Sequence, residues 1–131
     1  MVSIVIVSHS AKLAEGLKEL LTQVAKNITI FAVGGLGEGN ILGSDVNKVK
    51  DVLMSLRGED AIIVLCDFGS TVLAVKASLK MIPEDLAKRI YLVDAPLVEG
   101  AYAAAVEASA GSPIDDVIKA AKDACNLRKF S

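Results

Sequence analysis

Two residues able to do chemistry together stand at equivalent places in this chain. His9, the only histidine, follows the apolar run Val2-Ser3-Ile4-Val5-Ile6-Val7-Ser8, and Asp67 follows the apolar run Ala61-Ile-Ile-Val-Leu-Cys66. Runs this dense in Val, Ile and Leu read as strands buried on both faces, so each polar residue falls where a strand gives way to a helix. A neutral imidazole has one N–H and one lone pair, and whatever binds one nitrogen fixes the role of the other. A carboxylate from Asp67 accepting from one ring nitrogen of His9 leaves the opposite nitrogen outward as a nucleophile. The same pairing steadies the charge on the ring once something bonds to it.

Groups suited to charged oxygens lie in neighbouring loops. The stretch Gly34-Gly-Leu-Gly-Glu-Gly-Asn-Ile-Leu-Gly43 needs unusual backbone angles and offers N–H groups, and Gly69-Ser70-Thr71 adds N–H groups and hydroxyls. Ser10, Gly35, Gly43, Ser44, Gly69, Ser70 and Thr71 are therefore the expected phosphoryl-binding residues, since such groups suit the equatorial oxygens of a phosphoryl group in transfer. No serine-elbow pattern is present, no second acid is placed for general acid catalysis and no further histidine is left for a metal, which removes hydrolase and zinc chemistry, and neither a metal nor a cofactor is expected. The glycines match neither a dinucleotide fingerprint nor a P-loop. The inferred chemistry is a phosphorylated histidine. Simpler roles exist for the same residues: a surface loop for 34–43, a helix cap for Asp67, caps for Ser8 and Ser10, and a helix start for Glu99 and Gly100.

The elements that position these residues follow from hydrophobic spacing. Ser10 caps a helix over roughly 10–25, with Leu13, Leu17, Leu20, Leu21 and Val24 at helical spacing. A strand at 28–33 precedes the glycine-rich loop. Ser44 or Asp45 then caps a helix with Val46, Val49, Leu53 and Leu56 on its buried face, ended by Gly58. After the strand at 61–66, a helix begins near Ser70 with Val72, Val75, Leu79 and Ile82 facing inward, and Pro83 closes it. A fourth strand, Ile90-Tyr-Leu-Val93, is followed by an alanine-rich helix to about Ala110 and another started by Ser112-Pro113.

This alternation defines an α/β fold: a three-layer, open, mainly parallel sheet with helices on both faces. With strand order 2-1-3-4, the switch point lies between strands one and three, where ligands collect in such sheets. His9 and Asp67 end those two strands. The 131 residues suit one domain, and the net charge of -2 with scattered basic residues gives no footprint for nucleic acid or an anionic membrane. The opening run is too short for a signal peptide, and a cytoplasmic protein is expected. Cys66 and Cys125 form no metal or redox spacing and are expected to be small buried hydrophobes.

Four motifs in order, Val7-Ser-His9-Ser, Gly43-Ser-Asp, Asp67-Phe-Gly-Ser and Ala95-Pro-Leu-Val-Glu-Gly100, resemble the phosphoryl-donor subunits of phosphotransferase-system dihydroxyacetone kinases, the DhaM family, related to mannose-type enzyme IIA. The similarity covers nearly the whole chain; Ser44 stands where many relatives have Thr. The resemblance implies that His9 takes a phosphoryl group from the histidine phosphocarrier protein and passes it to ADP held on a partner subunit, DhaL. The ATP so formed phosphorylates dihydroxyacetone on a third subunit, DhaK. It also implies a homodimer, a hydrogen bond from Asp67 to the active histidine, a site-lining Ser70, and separate proteins for domains that some members carry fused. A mannose-type sugar-transport IIA domain is the nearest alternative. A receiver-like domain phosphorylated on Asp67 is another, although the acidic pair such domains use for Mg²⁺ is replaced here by Ser8-His9-Ser10.

Overall fold

The computed structural model describes residues 2–130. Its elements run β1 (Val2–Ser8), α1 (Ala11–Val24), β2 (Thr29–Gly34), α2 (Val46–Ser55), β3 (Ala61–Cys66), α3 (Gly69–Leu79), α4 (Glu84–Ala87), β4 (Ile90–Leu92), α5 (Leu97–Ser109) and α6 (Ile114–Asp123), ending in a 3₁₀ turn (Ala124–Asn126). Every strand pairing is parallel and the order is β2-β1-β3-β4, as the alternation of elements requires. No helix among the described residues is long and apolar enough to cross a membrane.

The pleat of the two central strands sorts the core into two layers. Ile4, Ile6, Ile63 and Leu65 pack with Ala14, Leu17 and Leu21 of α1, the alanines of α5, and Val117 and Ala121 of α6. On the opposite face Val5, Val7, Ile62 and Val64 meet Val49 and Leu53 of α2, Val75 of α3, and Leu86 of α4. Burying each of these branched side chains contributes about 2 kcal/mol, so the sheet centre anchors the molecule and its carboxyl end is left to the loops.

The helices differ from expectation in which residues they bury. In α1, Leu13, Leu20 and Val24 are exposed, and the inward stripe is Ala14, Leu17 and Leu21. Leu17 and Leu21 thus carry the apolar contact of α1, and the three exposed residues lie on its solvent side. In α3 the buried residues are Thr71, Ala74, Val75 and Ser78; Leu79, and Ile82 beyond the helix, pack inward against the core as expected although only half-buried, and Val72 is half-buried. The inward turn of Thr71 toward Asp67 sets that rotation. Helix α2 stops at Ser55, short of Gly58, and Pro83 leads into α4, a short helix not foreseen, instead of directly ending α3. Cys66 is half-buried and packs against the second core layer, whereas Cys125 is exposed and not the buried residue expected.

One close approach fixes the entrance to the site. Gly34 ends β2 directly beneath the start of α1, where an added Cβ would lie 2.7 Å from the Ser10 carbonyl oxygen and 2.9 Å from Ala11. Gly16, inside α1, has open space instead. Gly34→Ala is expected to destabilise the fold by about 1–3 kcal/mol, the scale of backbone overpacking. Gly16→Ala is expected to stabilise it by about 0.5–1 kcal/mol through helix propensity. Urea denaturation midpoints of the two variants check this opposition of sign.

Candidate active site

Because β1 and β3 are neighbours with Val7 opposite Cys66, the residues that follow, Ser8-His9 and Asp67, emerge side by side. The Asp67 N–H donates to the Val7 carbonyl at 3.3 Å, extending the ladder by one bond. His9 and Asp67 are thus brought together by strand register before any side chain interacts.

The Asp67 carboxylate accepts five hydrogen bonds. Oδ1 receives the His9 Nδ1–H at 2.9 Å, the Phe68 N–H at 2.7 Å and the Thr71 hydroxyl at 2.8 Å. Oδ2 receives the Ser8 hydroxyl at 2.6 Å and the His9 backbone N–H at 3.0 Å. Burial alone would raise this carboxyl, but the bonds from Ser8, His9, Phe68 and Thr71 outweigh it and lower the pKa from 3.8 to about 2. An ionised carboxylate only accepts, so Nδ1 carries the ring proton and Nε2 keeps its lone pair. The His9 side chain is 23% exposed against 9% for Asp67, so the imidazole presents one edge to solvent over a covered partner.

Nε2 faces the Ser70 hydroxyl and is hydrogen-bonded to it. Ser70 lies in the first turn of α3, whose N-cap Phe68 supplies no side-chain cap. The Thr71 and Val72 N–H groups reach the Phe68 carbonyl, while by helix geometry those of Gly69 and Ser70 have no acceptor within the helix. That end of α3 therefore offers N–H groups and the positive pole of its dipole close to Nε2. The Phe68 ring, 70% exposed, leans on the imidazole with centroids 5.3 Å apart and planes at 52°.

The other expected site residues lie around or behind the ring. Thr71 is fully buried on the Nδ1 side, 2.9 Å from that nitrogen, and its oxygen also pairs with Ser44 Oγ at 3.0 Å. Since the Thr71 proton goes to Asp67, Ser44 is the donor to Thr71. The Gly43 N–H donates to the His9 carbonyl at 2.9 Å, and the Ser10 hydroxyl accepts the Leu13 N–H at 3.2 Å as the cap of α1. Gly35 has φ +74 and its carbonyl accepts from Lys48 Nζ at 3.2 Å, at the base of a lobe closed by the Leu36 N–H to Ile41 carbonyl bond of 2.7 Å. The glycine-rich segment is thus folded on itself and bound to the histidine backbone.

Two contributors escaped the sequence reading. Ser8 had been given only a capping role, although its place one residue before the histidine on a strand neighbouring β3 was the available signal. Phe68 carried no signal except an apolar residue inside a polar turn. Glu99 lies in the first turn of α5 and pairs with Lys129 at 2.5 Å, and an added Cβ on Gly100 would lie 2.7 Å from Ala95 Cβ, so both motif residues sit in the start of that helix. A cavity of about 360 Å³ beside Asp67 is lined by Cys66, Val72, Lys76, Asp94 and Ala95 among others. Burial, helped by the Asp67 charge, pushes the Cys66 thiol up to about 12 and keeps it protonated. Among the described residues no cluster of His, Cys, Asp and Glu could hold a metal ion.

In this chain a parallel sheet thus ends in a carboxylate-held histidine. The EIIA-man family, described as "PTS system fructose IIA component", matches residues 3–118, and the chain belongs to it. Within that class its relatives are phosphoryl donor subunits named DhaM. It is 38% identical to the "PEP-dependent dihydroxyacetone kinase 2, phosphoryl donor subunit DhaM" of Listeria innocua, over 82% of this chain and 86% of that protein. It is 36% identical to the "PTS-dependent dihydroxyacetone kinase, phosphotransferase subunit DhaM" of Lactococcus lactis, over 87% and 88% respectively. Against the DhaM of Providencia stuartii identity is 39% over 98% of this chain, which spans only 28% of that longer protein. A solved structure titled "Crystal structure of unknown function protein EF1359" superposes with a TM-score of 0.91 at 34% identity, covering 99% of this chain and 98% of that one.

The lowered Asp67 carboxyl links stability to pH with a definite sign. Its folded pKa of about 2 lies below the ordinary 3.8, so its contribution is complete above about pH 4 and is lost as pH falls toward 2. At 1.36 kcal/mol per unit this is about 2 kcal/mol. Asp67→Asn is expected to lose about that much at neutral pH, with the gap to the unmodified chain closing between pH 4 and 2. Denaturant titrations across that range measure it.

Proposed function

We propose that this chain is a phosphoryl carrier in which His9 Nε2 is the atom that bears phosphorus. The observation that carries the reading is the opposite loading of the two ring nitrogens: Nδ1–H is held by Asp67, and Nε2 faces Ser70 at the start of α3. The Nε2 lone pair forms the new N–P bond while the bond to the donor's imidazole breaks, and the donor leaves with the electron pair. The Nδ1 proton stays in place, so the positive charge developing on the ring lies against the Asp67 carboxylate. Ser70 and the Gly69 and Ser70 N–H groups meet the phosphoryl oxygens. Gly43, Ser44 and Thr71 act behind the ring as its mount, and Ser10 fixes the start of α1.

The donor in this reading is the phosphorylated histidine phosphocarrier protein, and the acceptor is the terminal phosphate oxygen of ADP on a DhaL-type subunit. The ATP formed there serves dihydroxyacetone on a DhaK-type subunit. The names of the Listeria and Lactococcus relatives support this acceptor over a transported sugar. Five donors on Asp67 speak against that carboxylate as the phosphoryl acceptor, because its lone pairs are already engaged. A homodimer belongs to the same reading, supported by the outer edge of β4, which pairs with no strand among the described residues and exposes Tyr91 and Leu92.

Incubation with phosphoenolpyruvate, enzyme I and the histidine phosphocarrier protein is expected to add one phosphoryl group by intact mass, acid-labile and base-stable. His9→Ala is expected to add none, and Asp67→Ala to slow the gain about tenfold or more while still folding. Addition of ADP-loaded DhaL is expected to discharge the label. Retention there with loss to a sugar-transport IIB protein would move the chain to the transport branch, and absence of any phosphohistidine would end the reading.

A further inference from the structure

We infer that Ser8 is a positioning residue for the transfer: its hydroxyl pins Oδ2 of Asp67 so that Oδ1 is presented to His9 Nδ1. Ser8 is the last residue of β1, paired across the sheet with Gly34 and fully buried. Its Oγ accepts the Ser10 N–H at 3.1 Å, which occupies a lone pair and directs the hydroxyl proton the other way, onto Oδ2 at 2.6 Å. This is the shortest of the five bonds to the carboxylate.

The two oxygens of Asp67 are held by different kinds of donor. Oδ1 has the Phe68 N–H and Thr71 hydroxyl besides the ring, donors that tie this oxygen to the turn after β3 and the first turn of α3. Oδ2 has Ser8 and the His9 backbone N–H, which come from the strand that delivers the imidazole. Carboxylate plane and ring are therefore referenced to the same two residues, the last of β1 and the one that follows it. Without the Ser8 hydroxyl, Oδ2 keeps one donor at 3.0 Å, the plane loosens, and the preference for a proton on Nδ1 over Nε2 weakens. A proton on Nε2 blocks the lone pair that must take phosphorus.

Only the kinetic arm of the test rests on the phosphoryl-carrier reading. In Ser8→Ala, phosphoryl uptake from the histidine phosphocarrier protein is expected to fall about tenfold, the scale of losing a charge-assisted hydrogen bond. In the unphosphorylated protein, the two ring ¹⁵N shifts of His9 are expected to move toward each other as the Nε2–H tautomer gains population. Ser8→Thr, which keeps a hydroxyl, is expected to restore both readouts, and Ser8→Cys, close in size but a weak donor, to behave like Ser8→Ala. The cysteine variant decides the matter if the alanine variant does not fold. Folded Ser8→Ala or Ser8→Cys with unshifted ring nitrogens would overturn the inference. If the unmodified chain takes no phosphoryl group, the carrier reading fails, while the ring shifts still decide the role of Ser8.

Discussion

The Asp67 carboxylate joins parts of the chain that lie far apart in sequence, and the rest of the site depends on it. Its five donors come from the end of β1, from the turn after β3 and from the first turn of α3. Charge on this group is tolerable under cover only because every donor is in place, and each donor in turn is fixed by the group it serves. The same set orients the imidazole, closes the β1–β3 crevice and rotates α3 so that Thr71 faces inward. The geometry of the candidate site and local folding are one network here, and a change to either is felt in both.

Strand order and the meeting of His9 with Asp67 were legible because they follow from topology. Two long apolar runs with helices between them leave few ways to build a parallel sheet, and the ends of neighbouring central strands must then coincide. The roles of individual hydroxyls were not legible. Thr71 looked like one more oxygen-binding group, yet it lies behind the ring because α3 starts at Gly69 and turns its third residue toward the sheet. Leu13, Leu20 and Val24 satisfied helical spacing as well as the buried residues did, and the packing of Ala14, Leu17 and Leu21 against the sheet selected the other ridge. Spacing names the faces of a helix, whereas packing selects one.

The glycine-rich segment illustrates the same limit. Composition marked it for positive φ, and Gly35, Gly37, Gly39 and Gly43 all adopt it. Composition could not say that these turns would fold the segment into a lobe whose last N–H holds the histidine carbonyl, since that depends on where β2 ends beneath α1. The lobe holds the His9 carbonyl while Asp67 holds both its backbone N–H and its ring, so the residue is fixed from backbone and side chain together.

The two cysteines differ in a way that experimenters can use. A thiol held protonated under cover reacts slowly with alkylating reagents, while one on the surface is open to them. A maleimide dye applied briefly to the native chain at neutral pH would accordingly settle on Cys125, on the turn after α6, and spare the thiol that adjoins the carboxylate. The unmutated protein thus carries a ready attachment point for following its encounters with other proteins by fluorescence.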